Sequence, residues 1–146
     1  MRIVFDTNIL ARAHRLSRGP ARRLLLEVIA GSDILILSQY LLQELQRILA
    51  YPRLLKHSGL TPFDIAEYLE YLAQASTLVD PVPVPGDVLR DRADEPVLGT
   101  ALAGRADVIC ARDADFFEEK VRRFSAVQGI RILTDVELLR SLRIQA

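Results

Sequence analysis

RIVFDTN, residues 2–8, passes within one step from a β-branched and aromatic run to residues that favour turns and helix caps. That change predicts a short buried strand that ends at Asp6 and feeds a helix. The same pattern recurs along the chain. Apolar runs at 33–37, 77–79, 107–110 and 130–133 predict four further strands. Between them, helical spacing and capping signals predict helices over 10–14, 21–30, 39–50, 62–75, 95–104 and 116–121. Ser38 stands where the 39–50 helix needs its cap, Pro52 lies beyond that helix's end, and Thr61-Pro62 opens the next one. A last helix opens on the capping-box pattern Thr134-Asp135-Val136-Glu137. Five strands alternating with helices, most of them apolar on both faces, predict an α/β fold of three α/β/α layers around a central parallel sheet of about five strands.

The alternating prolines of DPVPVPGD, 80–87, resemble a linker. A boundary there would leave pieces too small to hold a core without disulfides or metal clusters. Residues 1–146 are therefore expected to form a single domain. The longest apolar runs, such as ILIL at 34–37, fall far short of the roughly 20 residues needed to span a bilayer. No signal-peptide pattern follows Met1, so a cytoplasmic location without membrane attachment is expected. With Cys110 the only cysteine and two histidines in the chain, any metal would be held by oxygen. Nineteen Lys plus Arg balance nineteen Asp plus Glu, yet six of the cations are Arg2, Arg12, Arg15, Arg18, Arg22 and Arg23, with only Asp6 against them in that segment. This segment reads either as a solvated helix face or as a phosphate-contacting patch, with Arg12, Arg15 and Arg112 as candidate phosphate contacts.

In an open parallel sheet, ligands bind beyond the carboxyl ends of the strands near the point where strand order reverses. Asp6 follows the first strand, and Asp113 and Asp115 follow the strand ending at Cys110, within CARDADF, 110–116. Glu44 falls about 60° from Leu41 on the helical wheel, at the border of the apolar arc rather than on the polar side. Asp94 precedes the helix that begins near Pro96, with Asp91 and Glu95 as competitors for any role. Each acid alone has a structural explanation as a cap or a solvated group. Crowded at one end of a sheet they would repel, and a hard dication such as Mg²⁺ or Mn²⁺ relieves that repulsion.

Phe5-Asp6-Thr7-Asn8, Glu44 within SQYLLQEL (38–45), Asp94 with DEPVLGTALA, and RDADF (112–116) resemble, in order and spacing, the four acidic motifs of PIN-domain ribonucleases. The resemblance extends to ILTDVELL at 132–139 and is more specifically to toxins of the VapC type from toxin–antitoxin pairs. It implies that Asp6, Glu44, Asp94 and Asp113 form the catalytic, metal-binding set, that Asp115 supports it, and that Asn8 and Arg112 are accessory. Arg12 and Arg15 would contact substrate. It further implies a Mg²⁺- or Mn²⁺-dependent endoribonuclease that cleaves RNA phosphodiesters with a metal-activated water, a small antitoxin as partner, and the homodimer frequent in the family. The departure is Ala111, where many relatives carry Thr or Ser, so a supporting hydroxyl is missing. A haloacid-dehalogenase-type phosphatase would need a DxDxT motif where this chain has DTN, and a calcium loop would need a glycine where Phe116 and Phe117 stand. The alternative from another class is a non-catalytic RNA-binding or partner-docking module on the same fold.

Overall fold

The structure, a computed structural model, describes residues 1–145. Its centre is a sheet of five parallel strands: β1 (Arg2–Phe5), β2 (Ile34–Leu37), β3 (Thr77–Leu78), β4 (Val108–Cys110) and β5 (Arg131–Leu133), in the order β3-β2-β1-β4-β5. The helices are α1 (Thr7–Ala11), α2 (Pro20–Ala30), α3 (Gln39–Ala50), α4 (Pro52–Ser58), α5 (Pro62–Ala75), α6 (Glu95–Ala103), α7 (Glu119–Val127) and α8 (Asp135–Gln145). They cover the sheet as the outer layers of an α/β/α sandwich, the architecture expected from the sequence. From β1 the chain steps outward through β2 to β3, then crosses back past β1 to β4 and β5. On this sheet α2 packs against β2 and α8, while α6 packs on β1, β2 and β4. Strand order reverses at β1, which pairs Phe5 with Cys110 of β4.

The central strands are apolar because both faces are covered: Ile3, Val4 and Phe5 of β1, and Val108, Ile109 and Cys110 of β4, have no exposed surface. Burial also pushes the Cys110 thiol well above its ordinary range. Two hydroxyls tie the layers at the carboxyl end. Ser38 Oγ accepts from the Leu41 N–H at 3.3 Å as the cap of α3, and stands 3.0 Å from Thr100 Oγ1 of α6. The proline segment is packed rather than free. Val82 N–H donates to Gly99 O at 3.2 Å, and Val84 is buried. A methyl group at Gly99 would collide with the Val82 carbonyl, a backbone atom that cannot swing aside. Gly99→Ala is therefore expected to cost about 1–3 kcal/mol, read as a lowered thermal midpoint, by pushing residues 81–83 off α6.

Three boundaries differ from the sequence expectation. The first helix starts at Thr7, not residue 10, because Asp6 caps it at once: Asp6 Oδ1 accepts from the Thr7 N–H at 2.8 Å. Pro52 does more than end α3, since it is also the first residue of α4, the chain breaking at Tyr51 (φ −61°, ψ 128°) between the two helices. The helix expected over 116–121 is a 3₁₀ turn, Ala114–Phe117, followed by the longer α7. The capping box of α8 forms as its sequence predicts, with Glu137 N–H on Thr134 Oγ1 and Thr134 N–H on Glu137 Oε1, each at 3.2 Å.

Candidate metal centre

β1 and β4 lie side by side, and the Asp6 N–H extends their ladder by donating to Cys110 O at 2.9 Å. This register sets Asp6 against the start of the 111–115 loop. Asp6 is 4% exposed, although a carboxylate is among the groups least tolerant of burial. Burial pushes its carboxyl up to about 6; the Thr7 N–H opposes the rise, while the negative charges of Glu44 and Asp113 add to it. Glu44 is half-buried on α3, and burial raises its carboxyl too, with Arg47 one turn on acting in the opposite direction. Asp113 caps the 3₁₀ turn after β4, accepting from the Asp115 N–H at 3.0 Å.

Asp94 joins this group to a second one. Its carboxyl is raised to about 7, first by burial and then by Asp113, Asp6, Asp91 and Asp115 in that order. Asp91, Asp94 and Asp115 each offer a carboxylate oxygen within 4.8 Å of the other two. Asp91 and Asp94 come together because a 3₁₀ turn, Arg92–Asp94, connects them, with Asp91 Oδ1 accepting from the Ala93 N–H at 2.9 Å. Glu95 faces elsewhere: Oε1 accepts from the Val84 N–H at 3.2 Å and Oε2 meets Arg92 Nη2 at 2.7 Å. Of the acids predicted from sequence, Asp94 is thus within electrostatic reach of Asp6, Asp113 and Asp115, and Asp6 of Glu44, while Asp91 is an addition to them. Its signal in the sequence was the Asp-x-x-Asp spacing, which sets two carboxylates on one side of a helical turn.

The donor set consists of oxygen, and Asp94 Oδ2 is a buried atom without a hydrogen-bond partner. A buried carboxylate oxygen left this way costs on the order of 1–3 kcal/mol or more unless a cation meets it. Hard dications take such ligands, so the residues present fit Mg²⁺ or Mn²⁺.

The remaining predicted residues are placed as follows. Asn8 is exposed on the first turn of α1, next to Asp6 in the chain. Arg112 Nε is 3.0 Å from Oδ1 of the buried Asp135, which anchors it at the end of β4. Arg12 is exposed and lines a hollow with Arg18 and His57. Arg15 is engaged by an acid outside the predicted set, its Nη2 2.8 Å from Asp64 Oδ1 on α5. That bond and the Thr61 N–H hold the Asp64 carboxyl down to about 2. His14 is buried beside it, and its Nδ1 accepts from the Leu16 N–H at 3.2 Å. Burial, with the charges of Arg22 and Arg15, lowers its pKa.

A sheet with this strand order, acids near its switch point and one partnerless carboxylate oxygen describe an α/β domain with a set of oxygen donors suited to a metal. The PIN domain family model matches residues 2–115, and the chain belongs to that family. Its fold is similar to that of a chain in the crystal structure of VapBC2 from Rickettsia felis bound to a DNA fragment from their promoter, at 12% sequence identity and a TM-score of 0.58, over 92% of this chain and 98% of that one. No curated protein matches it in sequence. Among the described residues no helix is long and apolar enough to cross a membrane.

Proposed function

We propose that this chain, acting as one PIN unit over residues 1–146, is a divalent-metal-dependent endoribonuclease and the toxin of a VapC-type toxin–antitoxin pair. The observation that carries the reading is Asp94 Oδ2, buried and without a partner amid the carboxylates of Asp6, Asp91, Asp113 and Asp115, which come from three separate segments of the chain. Asp6, Glu44, Asp94 and Asp113 would hold the metal, with Asp91 and Asp115 completing the donor set on the outer side. Bound there, Mg²⁺ or Mn²⁺ would activate water and offset charge on the phosphodiester.

The chain's own residues do the rest. Asp6 is oriented by the Thr7 N–H and Asp113 by the Asp115 N–H, so neither carboxylate has to be ordered when substrate arrives. Arg112, held at Nε by Asp135, presents its remaining guanidinium nitrogens toward solvent as a phosphate contact beside the acids. Arg12 is exposed and suited to the same task, whereas Arg15 is occupied by Asp64.

Metal-dependent cleavage of a panel of unstructured and structured RNAs tests the proposal, and absence of cleavage across the panel with Mg²⁺ and Mn²⁺ would refute it. The two arginines separate in the same assay. Arg12→Ala is expected to raise KM about fivefold to tenfold through loss of one phosphate contact. Arg15→Ala should leave KM within about twofold, because its guanidinium is already taken up in an exposed ion pair with Asp64.

By the same reading, a small antitoxin protein would bind this chain, the chain would form homodimers as related toxins do, and it would work in the cytoplasm. The similarity to a chain of a VapBC complex supports the antitoxin, and co-expression with the product of a neighbouring reading frame tests it.

A further inference from the structure

Helix α3 contributes more than Glu44 to its exposed side. Tyr40, Glu44 and Arg47 of α3, and Tyr51 at its C-cap, succeed one another at intervals of four, three and four residues, which puts them within about 60° of one another around the helix axis, and Tyr51 shares a hollow with Glu44 and Arg47. Tyr40 and Tyr51 are 64% and 63% exposed. One exposed ring on a surface needs no explanation. Here two lie on one stripe, on either side of a carboxylate of the acidic mouth, and each forms the wall of a hollow.

Tyr40 lines a hollow of about 330 Å³ with Pro81, Pro83 and Arg92, and Arg92 is paired there with Glu95. Tyr51 lines one of about 420 Å³ together with Glu44, Arg47 and Leu54. Leu54 is also in the wall of a third hollow, of about 390 Å³, which contains Arg12, Arg18 and His57 and no acidic residue. The surface therefore runs from an aromatic shelf, past the acids, to a second aromatic shelf and on to a cationic recess. At 1.5 Å per residue the two tyrosines are about 16 Å apart along the helix, room for a short run of splayed nucleotides between them.

We propose that α3 is a rail for unpaired RNA, with bases stacked on Tyr40 and Tyr51 on the two sides of the acidic mouth and the backbone continuing past Arg47 to Arg12 and Arg18. This rests on the ribonuclease reading of the acidic site and adds the side chains that hold the strand on the two sides of it. Single-stranded nucleic acid is held by aromatic stacking combined with a cationic track, a mode indifferent to sequence because every base has a π-face. In a duplex the bases stack on one another and cannot reach the tyrosines.

The experiment is fluorescence anisotropy in EDTA, which keeps cleavage off, with a short fluorescein-labelled unstructured RNA and the same strand annealed to its complement. Wild type should bind the single strand at least tenfold tighter than the duplex. Tyr40→Ala and Tyr51→Ala should each weaken single-strand binding about tenfold, the size expected of one lost stacking contact, and Tyr40→Phe and Tyr51→Phe should stay within about twofold. Because both rings are exposed, the variants should melt as wild type does, which calorimetry verifies. Equal affinity for both RNA forms, or alanine variants that bind as wild type does, would overturn the rail. So would alanine variants that change the sedimentation state without changing RNA affinity, since the stripe would then be a protein interface. Cleavage with Mn²⁺ is scored separately. Tyrosine-dependent binding without cleavage would leave the rail standing and refute the nuclease; cleavage indifferent to both tyrosines would do the reverse.

Discussion

Asp6→Asn should abolish metal-dependent RNA cleavage, by about a thousandfold or more, while making the metal-free protein more stable. Loss of an anionic ligand removes several kcal/mol of charge stabilisation at the reacting phosphate, and about 4 kcal/mol corresponds to a thousandfold. The gain in stability has a separate origin. The folded protein holds a carboxylate that it would rather keep protonated, since burial moves Asp6 from 3.8 to about 6. At neutral pH that shift of about two units corresponds to an upper bound of about 3 kcal/mol against the fold. Asparagine removes the charge and still accepts the Thr7 N–H, because Asn is as good a helix cap as Asp. Rate and melting temperature should therefore move in opposite directions. A variant that lost both would indicate that Asp6 serves the fold alone. Asp113→Asn should show the same loss of cleavage, because Asp113 contributes to the raised pKa of both Asp6 and Asp94.

The second large effect is expected when pH and metal are varied together. Asp6 and Asp94 rise from 3.8 to about 6 and about 7 in the fold. A raised acid pKa means that the folded state binds more protons than the unfolded chain between the two values. The stability this contributes is complete below about pH 4 and is lost as pH climbs to about 7. The metal-free melting temperature should accordingly owe a falling component to these acids across that window. Divalent ions counteract the loss, because they need the ionised carboxylates. Mn²⁺ at a hundredfold excess over its Kd should add about 2.7 kcal/mol, on the order of 8 °C for a chain of this size, at pH 7.5. The increment should shrink toward zero by pH 5, where protons hold Asp6 and Asp94 against the ion. Cleavage should follow the same dependence, rising with pH through about 6 to 7. A Mn²⁺ increment that stayed constant from pH 5 to 7.5 would mean that the ion binds elsewhere.

Much of this arrangement was legible in the sequence. β1 and β4 were evident because they are buried on both faces and end in residues that cannot continue a strand. α4 was not, because none of its residues is buried and its leucines, Leu54 and Leu55, give no helical face to detect. The start of α1 was misplaced for a related reason, since the acid that ends the strand is also the cap and leaves no gap between the two elements. Within the acidic group, Asp6 and Asp113 could be placed from strand ends and Glu44 from its position on the helical wheel. Asp91 could not be separated from Asp94, because their convergence with Asp115 depends on long-range packing between the 91–94 turn and the turn after β4. The pairing of Arg15 with Asp64 spans 49 residues and leaves no local trace.

The proposed nuclease requires acids from distant segments to meet around one divalent site centred on Asp94. Anomalous scattering from crystals soaked in Mn²⁺ should show a peak within coordination distance of Asp94 Oδ2 and at least one of Asp6, Glu44 and Asp113, reduced or absent in Asp94→Asn crystals. No peak at Asp94 in Mn²⁺-saturated crystals, or one touching only Asp91 and Asp115, would contradict it.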